Sequence, residues 1–443
     1  MPGSLLIISH ELPGASMSGP AIRYWHLAQT LADEFEVTLA VPGSVDLPAG
    51  NVNLITYDRA LGRELVRPAA NSRLILVAGF ALHHYPFLSS LPGPIVVDLY
   101  DPFVLENLAI HAGKPLPEQA AIHRIDQGVL LEQLTRGDYF LCASERQRDF
   151  WLGLLAAAGR VNPYTFAADP TLHRLIDVVP FGLPAAPAQP PRPVLRGVVP
   201  GIEAGDAIVY WGGGLWDWFD PLTAIRAVAL LAARRPRLRL FFAGVSHPNP
   251  AVPPMRQAAE AQRLSAELGL TGRHVFFNDW VPYAERAAYL LESDIGLSLH
   301  LDQVETRFAY RTRLLDYVWT GLPMVITRGD SLGKQAAERG LAATVAAGDV
   351  SGVAQALEAW LDEPEEQRSA RRARAEAMAD ELRWPRVVGP LREFCRAPAL
   401  AADRTRTGSA PVWRPGLAAK AWQSLRRNGP AGLWRDIRLY LNW

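Results

Sequence analysis

Five charged side chains lie between positions 305 and 316 of this chain of 443 residues: Glu305, Arg307, Arg311, Arg313 and Asp316. Positive charge at the start of a helix opposes the helix dipole, so arginines there are unfavourable unless an anion lies nearby. Arginine also matches the geometry of phosphate oxygens. The pattern therefore predicts an anion site with two carboxylates beside it. The alternative is that these arginines are solvated or pair with the two acids.

The elements around these residues place them at one edge of a sheet. The pattern predicts an apolar strand over 295–299, a helix over about 312–320 and a second strand over 324–326. Gly321 and Pro323 end the helix. In such a β-α-β unit the charged loop lies at the carboxyl end of a strand, where open α/β sheets bind ligands.

Two glycine loops could bring backbone N–H groups to a ligand. Gly19 lies between a predicted strand and a predicted helix, and Gly212, Gly213 and Gly214 hold the same position later in the chain. Successive glycines let the backbone approach a ligand closely. The second loop has neither the spacing of a dinucleotide fingerprint nor the lysine of a P-loop. Close packing at Gly19 and a bulge at the three glycines are the structural alternatives.

Two further acids, Asp98 and Asp101, follow a predicted strand over 95–97. Acids at the carboxyl end of a strand suit a cleft, where they could act in catalysis. They could equally be turn and helix-capping residues, because Asp101-Pro102 is a good start for a helix.

Strands and helices alternate through two halves of the chain, which predicts an α/β protein with two doubly wound, Rossmann-like domains and a cleft between them. Trp384-Pro385 breaks a long charged helix predicted over 350–379, and a closing helix follows. The predicted organisation is an N-terminal domain over 1–184, a Pro-rich linker over 185–204, a C-terminal domain over 205–383, a closing helix over 384–396 that returns to the N-terminal domain, and a linker with a tail over 397–443.

Composition excludes several classes of protein. The formal net charge is zero, which argues against bulk binding of nucleic acid. The two cysteines, Cys142 and Cys395, form neither a disulfide framework nor a metal-ligand pattern, so a reduced, cytosolic location is expected. The first residues lack the basic flank of a signal peptide, and no apolar run free of charge is long enough to span a membrane.

The tail over 416–443 differs from the rest of the chain. From Arg396 onward the chain has nine Lys/Arg and two Asp, an excess of about +7. Tryptophans alternate with arginines in two short amphipathic stretches, divided at Asn428-Gly429-Pro430. A basic, aromatic helix suits an anionic membrane surface, and packing of the tail on the protein itself is the alternative.

The segments, taken in order, resemble GT-B glycosyltransferases, and more narrowly the retaining group-1 (family 4) enzymes. The resemblance covers roughly residues 5–395. Five segments carry it: VVPFGLP (178–184) is similar to the interdomain segment, YWGGGL (210–215) to the donor-phosphate loop, LFFAG (240–244) to the strand after it, FFNDWVP (276–282) to the element beside the nucleotide base, and LLDYVWTGLPMV (314–325) to the helix with the second acid of the E-x7-E motif.

The resemblance implies a role for each candidate residue. It implies that Asp316 binds the ribose hydroxyls, that Trp280 and Val281 lie against the base, and that Gly19 approaches the phosphate or the acceptor. It places Asp98 and Asp101 near the transferred sugar, as catalytic candidates together with Arg311. The remaining implied donor-site residues are Gly212, Gly213, Gly214, Glu305, Arg307 and Arg313.

The resemblance also implies an activity: transfer of a sugar, with retention, from a nucleotide diphosphate sugar to a glycan or lipid-linked acceptor. The same likeness implies a role in polysaccharide or glycoconjugate biosynthesis, and it implies neither a cofactor nor an obligatory metal. The expected location is the cytoplasm, at the inner face of the membrane if the tail binds lipid. A catalytically silent GT-B scaffold, or an epimerase acting on sugar nucleotides, is the alternative.

The sequence departs from the family pattern at two points. The position eight residues before Asp316 is Phe308, and the nearest acid is Glu305. The donor loop of the family carries an arginine and a lysine, whereas residues 215–221 contain neither. A leaving diphosphate needs cationic or N–H partners. We therefore expect at least one arginine of the 305–313 loop to supply the missing charge.

Overall fold

A computed structural model describes residues 4–188, 192–246, 254–404, 424–425 and 429–434. Within these residues the chain forms two parallel sheets, one of seven strands and one of six, each flanked by helices. The prediction of two doubly wound α/β halves is confirmed.

The N-terminal sheet has the order β3-β2-β1-β4-β5-β6-β7 among the described residues. Its inner strands are near-continuous apolar runs, as expected where helices cover both faces of a sheet. The strands are Ser4–Ile8 (β1), Glu36–Val41 (β2), Asn53–Thr56 (β3), Leu74–Ala78 (β4), Ile95–Asp98 (β5), Tyr139–Cys142 (β6) and Ile176–Val178 (β7). The helices are Gly19–Leu31 (α1), Val66–Asn71 (α2), Ala81–His84 (α3), Phe103–Ile110 (α4), Leu116–Arg136 (α5), Glu145–Ala157 (α6) and Pro163–Ala168 (α7), with 3-10 turns at Arg63–Leu65 and Pro86–Ser90.

The C-terminal sheet has the order β10-β9-β8-β11-β12-β13 in the part of the chain that the structure describes. Its strands are Ala207–Gly214 (β8), Leu238–Gly244 (β9), Val275–Phe277 (β10), Ile295–Ser298 (β11), Met324–Thr327 (β12) and Ala342–Val345 (β13). The helices are Pro221–Leu231 (α8), Arg256–Glu267 (α9), Arg286–Leu291 (α10), Val304–Phe308 (α11), Arg313–Thr320 (α12), Ser331–Glu338 (α13), Val350–Leu361 (α14), Glu365–Glu381 (α15), Trp384–Val387 (α16) and Gly389–Arg396 (α17), with a 3-10 turn at Tyr283–Glu285.

The predicted helices differ from the observed ones in three places. The helix predicted over 350–379 is two helices, α14 and α15, because Pro364 lies between them and favours a break. The closing segment over 384–396 also forms two helices, α16 and α17. The charged loop after β11, predicted without regular structure, contains the short helix α11.

The chain passes between the two domains twice, and the two connecting segments form backbone hydrogen bonds with each other. The N–H of Leu183 donates to the carbonyl of Leu382 at 2.7 Å, and the N–H of Trp384 donates to the carbonyl of Leu183 at 3.0 Å. A Cβ on Gly182 would lie 2.6 Å from the Trp384 ring, so this crossing requires glycine. The Trp384 ring stacks on His26 of α1 at 5.5 Å, which brings α16 back onto the N-terminal domain.

The first residues of the predicted C-terminal linker lie against the N-terminal domain. Asp403 makes a buried ion pair with Arg160 at 2.7 Å, and Arg404 pairs with Asp138 at 2.6 Å. Residues 397–404 are therefore docked. Most of the predicted membrane-binding tail over 416–443 lies outside the described residues, although 429–434 is helical. None of the described helices is long and apolar enough to cross a membrane.

Candidate functional site

The described residues of the two domains enclose two adjoining cavities. The arginine cavity, of about 190 Å³, is lined by the glycine loop of β8, Trp280, Arg286, Arg313 and Asp316. The carboxyl cavity, of about 290 Å³, is lined by Glu11, Asp101, Glu106, Trp218 and Tyr310 among others. The residues that line both are Ser18, Gly19, Phe181, Trp216, Thr312 and Arg313.

Arg313, the first residue of α12, carries an unmatched positive charge at the border of the two cavities. Its Nη2 donates to the carbonyl of Gly214 at 3.0 Å, and its guanidinium lies 3.9 Å from the centre of the Phe219 ring. Among the described residues, no group accepts a hydrogen bond from its buried Nη1. Burial lowers the pKa of Arg313 to about 10, so the group stays charged at neutral pH. An anion in the arginine cavity would supply the missing partner.

The glycine loop lies opposite Arg313. Gly213 has φ +69°, a left-handed conformation that favours glycine. A Cβ on Gly244 would lie 2.7 Å from the Trp280 ring, which packs across the loop. The N–H of Gly212 donates to the hydroxyl of Tyr317 at 2.9 Å. One of the three amides predicted to face a ligand is therefore already used within the protein.

Asp316 lies on the wall of the arginine cavity, as do Trp280 and Val281. Its carboxylate accepts a hydrogen bond from Arg286 Nε at 3.1 Å, and its side chain is 33% exposed. Arg286 stacks over the Tyr283 ring at 3.6 Å, which fixes the guanidinium. The carboxylate is thus oriented and still accessible from the cavity.

The carboxyl cavity contains two acids whose pKa values are raised. Burial, with the Asp98 carboxylate nearby, raises the pKa of Asp101 to about 7. Burial, followed by the charges of Asp101 and Glu305, raises the pKa of Glu106 well above its usual range. Acids with raised pKa values in a cleft are candidates for a functional site, although structural networks also produce such shifts.

Asp98 does not line either cavity, although Asp101 does. Its two oxygens accept hydrogen bonds from Arg23 of α1, with Nε to Oδ2 at 2.5 Å and Nη2 to Oδ1 at 2.9 Å. Both side chains are fully buried, and Arg23 also donates to the carbonyl of Val179. The contacts of Asp98 are those of a buried ion pair that ties α1 to β5 and the interdomain segment. Its predicted catalytic role stays a prediction.

The three arginines of the charged loop have three different surroundings. Arg311 donates from Nη2 to Glu305 at 2.6 Å, and both side chains are buried. Arg311 therefore pairs with an acid, which was the alternative to binding an anion. Arg307 is exposed. Arg313 is the arginine that faces the glycine loop, where the sequence lacks its own cations.

Phe308, which stands eight residues before Asp316, belongs to the contact between the domains. Its ring lies 4.7 Å from Phe150 of α6. Gln147 of the same helix donates to the carbonyls of both Phe308 and Tyr100 at 2.9 Å. The position of the missing acid is therefore used to hold α11 against the N-terminal domain.

Sequence reasoning missed Arg286, Tyr283 and Glu106 as cavity residues. No local pattern identifies Arg286 or Tyr283, because their partners are distant in sequence. Glu106 had a usable signal: the helix start predicted at Asp101-Pro102 places it near the same cleft. Within the described residues, no group of three or more His, Cys, Asp or Glu side chains could hold a metal ion.

No protein-family model and no curated protein matches the chain. Solved structures do match it. Sucrose-phosphate synthase from Thermosynechococcus elongatus has a TM-score of 0.63 at 14% identity, covering 89% of this chain and 98% of that one. WaaG, a glycosyltransferase involved in lipopolysaccharide biosynthesis, has 0.59 at 16%, with coverages of 91% and 100%. HepE from Anabaena, in complex with UDP-glucose, has 0.60 at 14%, with coverages of 89% and 98%. At such identities the likeness shows the fold, and the chain has the GT-B fold, with two Rossmann-like domains.

Proposed function

We propose that this protein is a retaining glycosyltransferase that moves a sugar from a nucleotide diphosphate sugar to an acceptor hydroxyl. One observation carries the proposal: the buried, unmatched charge of Arg313 faces the glycine loop. A diphosphate is the anion that such a cation and loop suit best in a cleft of this fold. HepE, which shares the fold, was solved with UDP-glucose.

The donor is assigned to the arginine cavity. The diphosphate lies between Arg313 and the backbone of Gly213 and Gly214, where the positive charge stabilises the leaving group. The ribose hydroxyls donate to Asp316, whose carboxylate Arg286 orients. The base packs near Trp280 and Val281. The sugar then points past Gly19 and Thr312 toward the carboxyl cavity, which both residues also line.

The reaction needs positioning and charge stabilisation more than a protein nucleophile. The bond from the anomeric carbon to the diphosphate oxygen breaks, and the acceptor oxygen attacks from the same face. The departing diphosphate oxygen takes the proton of the acceptor. Arg313 neutralises charge on the leaving group throughout, and the chemistry uses no cofactor and no obligatory metal.

The biological setting is proposed from the same resemblance: a glycan or lipid-linked acceptor, in polysaccharide or glycoconjugate biosynthesis, at the cytoplasmic face of a membrane. The tail over 416–443 would supply the membrane contact. Co-sedimentation with anionic liposomes, comparing the full chain with one that lacks 416–443, tests this contact. Equal binding of the two proteins would rule it out.

Binding of UDP-, GDP- and dTDP-sugars, measured by calorimetry, tests the function. We expect at least one donor to bind and to be hydrolysed slowly without acceptor. Asp316→Ala should weaken that binding by about 10- to 100-fold, because hydrogen bonds to a charged group contribute about 1.5 to 3 kcal/mol. Asp302→Ala, at an exposed acid nearby, is the control. Folded protein that binds no donor would instead favour the non-catalytic scaffold.

A further inference from the structure

The arginine cavity includes one side chain of the C-terminal domain that the N-terminal domain holds in place. Tyr283, which follows β10, lines this cavity. Its hydroxyl forms a hydrogen bond with Nε2 of His26 at 2.8 Å, and its backbone N–H donates to the carbonyl of Ala15 at 2.7 Å. His26 lies on α1, which packs against the N-terminal sheet. Two atoms of Tyr283 are therefore bonded to the opposite domain.

The same tyrosine holds the arginine that orients Asp316. The guanidinium of Arg286 lies 3.6 Å from the centre of the Tyr283 ring, and its Nη1 donates to the Tyr283 carbonyl at 2.8 Å. The ring of Trp319 lies 4.8 Å from the same guanidinium. Nε of Arg286 then donates to the Asp316 carboxylate at 3.1 Å. A guanidinium that is fixed on aromatic rings loses little conformational freedom when it binds a carboxylate. Contacts therefore lead without a gap from His26 to Asp316.

The imidazole of His26 is fixed as well. It stacks on the ring of Trp384, with 5.5 Å between the ring centres and 14° between the planes. Burial, followed by the charge of Arg286, lowers the pKa of His26 to about 4, so the ring is neutral at pH 7. Burial raises the pKa of Tyr283 to about 12, so its hydroxyl keeps the proton. The bond between His26 and Tyr283 is therefore one between neutral groups, and His26 adds no positive charge beside Arg286.

From these contacts we infer that His26 is a positioning residue for the donor, which acts through Tyr283 and Arg286 on the carboxylate of Asp316. His26 itself lines neither cavity, so its effect on a ligand is indirect. The inference rests on the proposed function in one respect, the assignment of the ribose to Asp316. Its consequence is that a residue of the N-terminal domain controls recognition of the ribose in the C-terminal domain.

A purely structural role for His26 predicts a different result. If its bond to Tyr283 only held the two domains together, loss of the bond would weaken all ligands of the cleft by the same factor. If the bond positions Asp316, its loss weakens only those ligands that carry the ribose hydroxyls, because a supporting contact acts through the group that it orients. The dependence of affinity on these hydroxyls therefore separates the two roles.

The experiment compares UDP, GDP and dTDP with their 2′,3′-dideoxy analogues, and calorimetry measures binding to the full chain. For the base that fits, we expect wild type to prefer the nucleotide with hydroxyls about 10- to 100-fold. His26→Phe and Tyr283→Phe each remove the hydrogen bond and keep a ring. Each should reduce that preference about three- to ten-fold and leave the affinity for the analogue unchanged. The double variant should lose no more than either single variant, because both remove the same bond.

Gln29→Ala is the matched control. Gln29 lies three residues after His26 on α1, and its side chain donates to the carbonyl of Ala49 within the same domain. This variant should keep the wild-type preference. An unchanged preference in both phenylalanine variants would overturn the inference and leave the proposed function standing, as would an equal loss for nucleotide and analogue. Tyr283→Phe decides the matter if His26→Phe folds poorly.

A measurement without nucleotide tests the same contacts. With labelled histidines, the ring resonances of His26 should shift in Asp316→Asn, because the weakened ion pair changes the position of Arg286. Those of the exposed His173 should not move. No shift at His26 would overturn the inference. If no nucleotide binds to wild type, the proposed function is contradicted, and a shift at His26 would then still support its coupling to Asp316.

Discussion

The two cavities share six lining residues, Arg313 among them, and differ in the other charged or titratable groups that line them. In the arginine cavity the acid Asp316 is paired with Arg286, and Arg313 has no acid as its partner. The carboxyl cavity adds Asp101 and Glu106, which make no ion pair among the described residues, and Arg311, which is paired with Glu305. How a single loop distributes its arginines thus decides which charged groups of the cleft have a partner.

The largest expected effect comes from breaking the buried pair of that loop. Arg311→Ala leaves the carboxylate of Glu305 buried and unpaired, and we expect a loss of about 3 to 5 kcal/mol in the free energy of unfolding. Urea denaturation measures it. The double variant Arg311→Met with Glu305→Gln removes both charges and should recover most of the loss. An Arg311→Ala protein as stable as wild type would show that the pair does not support the loop.

The second prediction concerns the unmatched cation. Arg313→Ala removes the proposed partner of the diphosphate, so donor affinity should fall about 10- to 100-fold, the equivalent of about 1.5 to 3 kcal/mol. Arg313→Lys keeps the charge and should lose less. Arg307→Ala, at the exposed arginine of the same loop, is the matched control and should bind donor like wild type. Equal losses at Arg307 and Arg313 would mean that long-range charge, and not contact, is responsible.

The contrast between these arginines shows how far the sequence could go. Alternating strands and helices were sufficient to predict the two domains. The expectation of a substitute arginine needed the family resemblance as well, because only the family pattern makes the lack of Arg or Lys in 215–221 notable. Which arginine it would be was not predictable, because the answer depends on the path of α11. Phe308 of that helix packs on Phe150, Glu305 of the same helix is buried beside Arg311, and Arg313 faces the glycines.

Asp98 and Asp101, in the N-terminal domain, also show what the sequence alone could not predict. The sequence places both at the carboxyl end of β5, where either could face the cleft. The structure separates them through Arg23, a residue of α1 that is 75 positions away from Asp98. A buried guanidinium in α1 has no local signature, since its partner comes from the tertiary fold.

A smaller effect is expected from the wall of the arginine cavity. Gly244→Ala would place a Cβ 2.7 Å from the Trp280 ring, so the ring must shift. We expect donor affinity to fall about three- to ten-fold, because overpacking costs about 1 kcal/mol or more and displaces the surface proposed for the base. Gly128→Ala in α5, where a Cβ meets nothing within 4 Å, is the control. Unchanged binding of the base in Gly244→Ala would remove Trp280 from the site.

The smallest effect concerns the pH dependence of folding stability, and it tests the protonation state of an acid in the carboxyl cavity. The pKa of Asp101 is raised from 3.8 to about 7 by burial and by Asp98. Above about pH 4 the unfolded chain releases a proton that the folded protein keeps. The contribution of Asp101 to the free energy of unfolding is therefore fully present below pH 4 and decreases as the pH rises from 4 to 7. Above pH 7 it no longer changes.

Asp101→Asn cannot titrate, so its stability should decrease less than that of wild type between pH 5 and pH 8, by about 1 kcal/mol. Urea unfolding at the two pH values measures the difference. Asp149→Asn, at an exposed acid of α6, should keep the wild-type dependence. Equal slopes for Asp101→Asn and wild type would mean that this carboxyl is ionised in the empty cleft.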